Sequence, residues 1–401
     1  MTRRLRAAVV GCGTIGPRHG EAYQFHPDVD LVAAVDLVGE RAELFSSRYG
    51  ATRHYTSTAA MLADARPDLV SVATPPGTHA ELAEQILAAG VDVLLEKPPT
   101  PTLAELDRVA AAEASSRGRA YVVFQHRHGS GARRAHRLLA DGGLGSPRVV
   151  VCETLWFRPR GYFDPDWRGT WAGEGGGPTL GHGIHQLDLM LHLVGPWRSL
   201  SALTVRLDRP VQFEDVSAAT ISFDNGAVGT IVNSLLSPKE LSRLRIDTTD
   251  GTLEVRHVYG YSDDSWSYHR VPAPAVAATL GVDPGVRDGS GSLAPRVADP
   301  AADPWLASAD ENVPSNHGAQ INRLVGDLLA DRVHETTLAS TRPTIELVTA
   351  FYASGLTGRA VSRAELVPGH PFYDSLSGGL GQADIDRLMA QPVTTDPKEL
   401  P

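Results

Sequence analysis

Residues 5–10, Leu-Arg-Ala-Ala-Val-Val, form a short apolar run closed by Gly11, the pattern of a strand buried on both faces of a parallel sheet. A helix follows from about Thr14, with Pro17 tolerated in its first turn because no intrahelical partner awaits its missing N–H. The same reading gives strand at 31–35, helix at 40–49 stopped by Gly50, and helix at 57–65 behind a Ser/Thr cap. Strand at 68–73, helix at 78–89, strand at 91–95, helix at 103–116 and strand at 120–124 complete the series. Strands alternating with helices in this way require right-handed crossovers, so the pattern predicts an α/β fold with an N-terminal Rossmann, doubly wound parallel sheet.

Beyond residue 130 the rhythm changes. A helix at 133–140 leads to strand-like runs at 148–157, 200–207, 217–223, 227–235 and 244–248, interrupted by a helical stretch at 184–193. Asp224-Asn225-Gly226 reads as a hairpin turn, since Asn-Gly tolerates positive φ. Clustered strands predict a C-terminal α+β domain with a large, mostly antiparallel open sheet. Residues 257–315, rich in Pro, Gly and Asp, read as a long excursion, and helices resume at 319–330 and 345–357. The expected division is 1–126 for the dinucleotide-binding domain, 127–367 for the substrate and oligomerisation domain, and 368–401 for a tail.

The length of 401 residues fits two domains. A net charge of -10 without a long basic run argues against nucleic acid or an anionic membrane as partner. Cys12 and Cys152 are too few for a disulfide framework, and no apolar stretch is long enough to span a bilayer. The expectation is a cytoplasmic protein with two inert thiols.

Gly11-Cys12-Gly13-Thr14-Ile15-Gly16 fits G-x-G-x-x-G between a strand and a helix. Gly11 makes the tight turn, Gly13 lets a pyrophosphate approach the backbone, and Gly16 allows close helix packing, while the helix N-terminus faces the phosphates. Asp36, 20 residues after Gly16, stands where a carboxylate binds ribose hydroxyls and repels a 2'-phosphate, which favours NAD over NADP. Arg41 nearby is the feature that would suit NADP. Thr74 and Pro75 end the fourth strand on the same ligand-binding edge.

Glu96-Lys97-Pro98-Pro99 follows the fifth strand. Arginine fills almost every other cationic position; only Lys97, Lys239 and Lys398 are lysine. A compact ammonium with a movable pKa, beside a nicotinamide, suits stabilisation of a developing alkoxide. Gly183-Ile184-His185-Gln186-Leu187-Asp188 opens a helix after a glycine-rich stretch. It places His185 and Asp188 on one face, with His192 a turn further on. A histidine there suits a general base at neutral pH. Metal binding by His182, His185 and Asp188 is the competing reading; hydride transfer does not need it, and no metal is expected.

These motifs, with Ala73-Thr74-Pro75-Pro76-Gly77-Thr78-His79, resemble the Gfo/Idh/MocA family (glucose-fructose oxidoreductase and inositol dehydrogenase-like proteins) across about residues 5–360. The resemblance implies NAD(P)-dependent dehydrogenase chemistry on CH–OH groups of sugars, glycosides or cyclitols, and a homo-oligomer, dimer or tetramer. It implies Lys97 and His185 as catalytic residues, Asp188 as substrate-binding, and Glu96 near the nicotinamide ribose. Trp167 and Arg168 resemble a pair that holds the nicotinamide, and His79 belongs to the cofactor-binding motif. Gln125 on the cofactor side, and His126 and Arg127 on the substrate side, follow the last Rossmann strand where the chain crosses beside the active site. The family's aspartate four residues before the catalytic histidine is Gly181 here, and His182 is expected to line the pocket instead. Asn316-His317 and the aromatics Tyr162, Trp156, Trp266 and Trp305 are weaker candidates. Two other functions share the motifs: a redox-neutral, glycoside-cleaving elimination with retained NAD, and a non-catalytic NAD-binding regulator.

Overall fold

A computed structural model describes residues 4–271, 304–308 and 312–390. Its first half runs β1 (Leu5–Val10), α1 (Gly16–Gln24), β2 (Val29–Val35), α2 (Gly39–Tyr49), β3 (His54–Tyr55), α3 (Thr58–Ala65), β4 (Leu69–Val72), α4 (His79–Ala88), β5 (Asp92–Leu95), α5 (Leu103–Ala114) and β6 (Ala120–Val122). The six strands are parallel in the order β3-β2-β1-β4-β5-β6. The order reverses direction beside β1, which opens a crevice at the carboxyl ends of β1 and β4. All four residues of β4 are buried, as the continuous apolar run requires of a strand covered on both faces. Ser57 and Thr102 cap α3 and α5 by accepting from Ala60 N and Glu105 N.

The chain continues through α6 (Ser130–Ala140), β7 (Pro147–Phe157), α7 (Trp171–Glu174), α8 (Ile184–Val194), β8 (Trp197–Val205), β9 (Val216–Phe223), β10 (Val228–Ser234), β11 (Leu236–Thr248), β12 (Gly251–His257) and β13 (Trp266–Arg270). After α9 (Pro304–Ala307) come α10 (His317–Leu329), α11 (Leu338–Thr357), β14 (Val361–Ser362) and α12 (Gln382–Met389). The second sheet has the order β13-β12-β11-β7-β10-β9-β8-β14 and is antiparallel except between β7 and β10. Helices α8 and α11 pack on one of its faces. Both expected sheets are present. Among the described residues no helix is long and apolar enough to cross a membrane.

Three departures from the sequence expectation have physical causes. The excursion begins later than residue 257, because β12 and β13 extend the sheet with alternating Leu253, Val255, Trp266 and Tyr268 turned inward. Residues 272–303 and 309–311 of the excursion, and 391–401 of the tail, lie outside the described residues. Helix α11 starts at Leu338, well before 345, and carries Pro343 inside it. Thr337 caps its first turn by accepting from Ser340 N, and the Pro343 carbonyl receives Trp197 Nε1 at 3.1 Å. Finally, α10 lies against α1, where Ile321, Leu324 and Val325 share a core with Leu5, Ala7, Val9 and Tyr23. That return brings His317 to the edge of the Rossmann sheet.

Candidate active site

The glycine loop has the shape a dinucleotide needs. Gly11 sits at φ +98°, and a Cβ there would fall 2.6 Å from the Ala73 oxygen; a Cβ on Gly16 would fall 2.2 Å from the Gly11 oxygen. Gly13, by contrast, faces open space. Helix α1 begins at Gly16 rather than Thr14, so Thr14 and Ile15 belong to the loop, and no side chain caps its first N–H groups. Asp36 Oδ2 accepts from Cys12 N at 3.0 Å and Oδ1 from Val38 N at 2.9 Å, which fixes the carboxylate at the mouth of the loop. Burial, reinforced by Asp36, pushes the Cys12 thiol up to about 12, consistent with an inert thiol.

Thr74 and Pro75 form the opposite lip. His79 is fully buried behind them and bonds the carbonyls of Thr74 and Pro98, each at 2.9 Å, so it ties two loops together and does not face the cleft. Gln125 is buried, with its carboxamide beside the Tyr259 hydroxyl. An uncapped helix N-terminus and a glycine loop whose Gly13 faces open space together fit NAD. Gly11, Gly13, Thr14, Ile15, Gly16 and Asp36 would hold its adenosine and pyrophosphate, and Gln125 its nicotinamide end.

At the carboxyl end of β5, Glu96 and Lys97 point opposite ways. Glu96 Oε1 accepts from His19 Nε2 at 3.0 Å and His317 Nε2 at 2.8 Å, while Oε2 accepts from Lys97 N at 3.1 Å. His19 Nδ1 continues to Ser71 Oγ at 3.0 Å, and Ser71 Oγ to Tyr23 Oη at 2.7 Å. Burial alone would raise the Glu96 pKa, but the two imidazoles outweigh it and hold the group well below the usual carboxylate range. These three side chains have metal-ligand geometry. Their polar atoms satisfy one another as hydrogen-bond partners, so a metal is not required there.

Lys97 Nζ reaches across to the main-chain oxygen of Gly181 at 2.8 Å. A Cβ at Gly181 would meet nothing within 4 Å, so the place of the family's aspartate side chain is open space, and a neutral carbonyl holds the ammonium. Burial lowers the Lys97 pKa against the pull of Glu96 and Glu174. Gly181 and His182 lie in a five-residue π turn, Thr179–Gly183, that precedes α8 and delivers His185 to the cleft. His185 is buried with both ring nitrogens unpartnered. Burial, then the positive field of Lys97, holds it well below the usual histidine value and therefore neutral. His182 Nδ1 is likewise unpartnered, and its ring meets Trp156 edge-on at 5.2 Å.

Arg127 and Asp188 are brought to each other instead of to the cleft. Arg127 Nε donates to Asp188 Oδ2 at 2.7 Å and Arg127 Nη2 to Oδ1 at 2.5 Å, and Thr344 Oγ1 adds a bond at 3.0 Å, with both charged side chains buried. Arg168 lies between Tyr162 and Trp167, 3.9 and 4.3 Å from their ring centres, and pairs with Glu174 at 3.1 Å. Trp167 is half exposed at the entrance. Trp266 and Trp305 are core residues, packed 5.9 Å apart.

Three residues of this region escaped the sequence reading. His19 was signalled by the buried i, i+3, i+4, i+7 series Gly16, His19, Gly20 and Tyr23 on α1. His257 and Tyr259 were hidden at the start of the stretch taken as an excursion; Tyr259 stands 6.3 Å from His185, ring to ring.

By fold and site this is an NAD-binding oxidoreductase. Residues 5–124 match the oxidoreductase family with an NAD-binding Rossmann fold, and residues 132–254 match the Gfo/Idh/MocA C-terminal domain. The chain belongs to the Gfo/Idh/MocA family. It is 30% identical over 295 residues to UDP-N-acetylglucosamine 3-dehydrogenase of Acidithiobacillus ferrooxidans, covering 73% of this chain and 85% of that one. It is 28% identical over 386 residues to a putative UDP-kanosamine synthase oxidoreductase subunit of Amycolatopsis mediterranei, covering 88% and 97%. The fold is similar to that of the WlbA dehydrogenase from Bordetella pertussis, solved with NADH and UDP-GlcNAcA, with a TM-score of 0.74, 25% identity, and coverage of 90% and 99%.

Proposed function

We propose that the protein is an NAD-dependent dehydrogenase that moves a hydride between nicotinamide and a secondary hydroxyl or ketone of a sugar, glycoside or cyclitol. The observation that carries this reading is the juxtaposition of a lysine ammonium, held by the Gly181 carbonyl, with a neutral, unpartnered histidine at the edge of a dinucleotide crevice. Bound NAD supplies the hydride acceptor. In the oxidative direction His185 takes the hydroxyl proton on a free ring nitrogen as the C–H bond gives up its hydride, and Lys97 donates a hydrogen bond to the oxygen as it gains alkoxide character. His185 then releases the proton to solvent. The reverse reaction uses the same two groups with the proton moving from His185 to the oxygen.

Asp36 at the ribose position supports NAD over NADP, with Arg41 lying exposed on α2. Trp167 and Arg168 would close over the nicotinamide, and Glu96 would support its ribose side. His182 and His126 would face the substrate, whereas Arg127 and Asp188 brace the helix that carries His185. The 3-dehydrogenase relative makes the 3-hydroxyl of a glycosidically linked hexose the first position to examine. Incubation with NAD and a panel of UDP-sugars, glycosides, free sugars and inositols, following NADH and product mass, tests the reading. A ketone product formed with stoichiometric NADH is expected. Cleaved glycoside without NADH points to the redox-neutral reaction, and cofactor binding without any turnover to a regulator. A His182→Ala variant with unchanged kinetics would remove His182 from the pocket.

A further inference from the structure

Beside His185 stand further imidazoles, His126 and His257, each with a ring nitrogen that has no hydrogen-bond partner in the protein. His126 is buried, and its ring centre lies 5.1 Å from that of His185 and 5.1 Å from that of His257. Its Nε2 is bonded to the Tyr259 main-chain oxygen at 2.9 Å. A carbonyl only accepts, so that nitrogen carries the proton and the other, Nδ1, presents a lone pair. Nδ1 is enclosed and has no protein partner. The ring is not free to turn away: Tyr261 packs edge-on against it at 5.8 Å and donates its hydroxyl to the His126 main-chain oxygen. His126 cannot pass a proton onward, because one accepted at Nδ1 would have to leave from Nε2, which faces only that carbonyl. It is a fixed acceptor, one ring away from the proposed base. Oxygens on neighbouring carbons of a sugar or cyclitol stand about a hydrogen-bond length apart, so one imidazole can hold each member of such a pair.

We infer that His126 is a specificity-determining residue: its Nδ1 accepts a hydrogen bond from the hydroxyl next to the one being oxidised, and the substrates are therefore vicinal diols. The inference rests on the dehydrogenase reading above. A site built to accept from a hydroxyl rejects an analogue that lacks it, because the enclosed acceptor is then left without a partner.

The test uses the full-length protein with NAD, methyl β-D-glucopyranoside, myo-inositol and UDP-N-acetylglucosamine as parent probes, and the monodeoxy analogues of whichever parents are oxidised. Product mass and fragmentation locate the new ketone. In the parent protein, removing one hydroxyl flanking that carbon is expected to lower kcat/KM roughly 10- to 100-fold. Two variants separate recognition from architecture. His126→Asn keeps an acceptor near the Nδ1 position but loses the Tyr259 bond, and is expected to retain most of the discrimination. His126→Gln can still reach Tyr259 but lacks the Nδ1 acceptor, and is expected to oxidise parent and deoxy analogue at rates within threefold of each other. A merely structural role predicts the reverse order, with Gln restoring parent behaviour. Deoxy analogues at both flanking carbons that turn over as well as the parent sugar would overturn the inference while leaving the dehydrogenase reading intact. If no parent probe is oxidised or bound, the dehydrogenase reading falls and the inference falls with it.

Discussion

Glu96 and Lys97 are adjacent in sequence, yet the regions they enter obey opposite rules. On the Glu96 side the polar groups match one another: His19, His317, Ser71 and Tyr23 form one continuous chain of hydrogen bonds with the carboxylate. The Arg127, Asp188 and Thr344 cluster beneath α8 is matched in the same way. On the Lys97 side His126, His182 and His185 hold enclosed nitrogens with no protein partner. Buried polar groups are costly to leave unmatched, so a cluster of them marks where a ligand's hydroxyls belong. Matched groups are the scaffold that holds the unmatched ones in place.

The largest expected effect falls on the matched side. Arg127→Met leaves the Asp188 carboxylate enclosed without its cation, and loss of one partner of a buried pair costs about 3–5 kcal/mol. Chemical denaturation should register that loss, and Arg127→Met combined with Asp188→Leu should recover much of it. A loss under about 1 kcal/mol with a large rise in substrate KM would place Asp188 back at the substrate and erase the distinction between the two regions.

On the unmatched side, Lys97→Ala should lower kcat/KM roughly 10²- to 10³-fold, the scale seen on removing a donor to a developing oxyanion. Stability should hold or rise, since burial already disfavours the ammonium. NADH binding, followed by fluorescence, should persist. A folded Lys97→Ala protein that turns over at the parent rate excludes the lysine from the chemistry.

Asp36→Ala should raise the KM for NAD roughly 10- to 100-fold, because hydrogen bonds to a charged acceptor are among the stronger ones. NADP should be affected much less, so the preference narrows. Equal effects on both cofactors would show that Asp36 acts through its bonds to Cys12 N and Val38 N rather than on the ribose.

The first sheet, the glycine loop, Asp36 and the Glu96-Lys97 step were readable in the sequence because each depends on local pattern and strand ends. Matching could not be read, since it depends on contacts between distant segments. His19 and Glu96 meet across 77 residues and His317 and Glu96 across 221. Asp188 has the spacing of a substrate ligand relative to His185, but Arg127, 61 residues earlier, fills both of its oxygens. The open space at Gly181 was signalled by the missing aspartate, whereas the use of its carbonyl by Lys97 was not, because every residue has that carbonyl. Strand β12 was within reach: Asp250-Gly251 marks a turn, and Leu253 and Val255 alternate beyond it.

The smallest expected effect is a near absence of one. An imidazole base with the ordinary pKa of about 6.5 loses roughly tenfold of its neutral form between pH 7.5 and 5.5, and kcat/KM for oxidation would fall with it. His185 is held well below that value by burial and by Lys97, so it stays neutral across this window and kcat/KM should change less than about twofold. Stability should behave differently over the same range. His126, lowered to about 4, and His185 and His182, held well below the usual histidine value by burial, regain their ordinary values on unfolding. The unfolded chain then binds more protons than the folded one below pH 6.5, and each such group removes up to about 1.4 kcal/mol of stability per pH unit until its folded pKa is reached. Activity that stays flat while the denaturation midpoint falls is the signature of neutral, enclosed imidazoles. A Lys97→Met variant sharpens the point: with the ammonium gone, the His185 ring resonances should titrate at higher pH than in the parent protein, and an unmoved titration would place the lysine's field elsewhere than on the base.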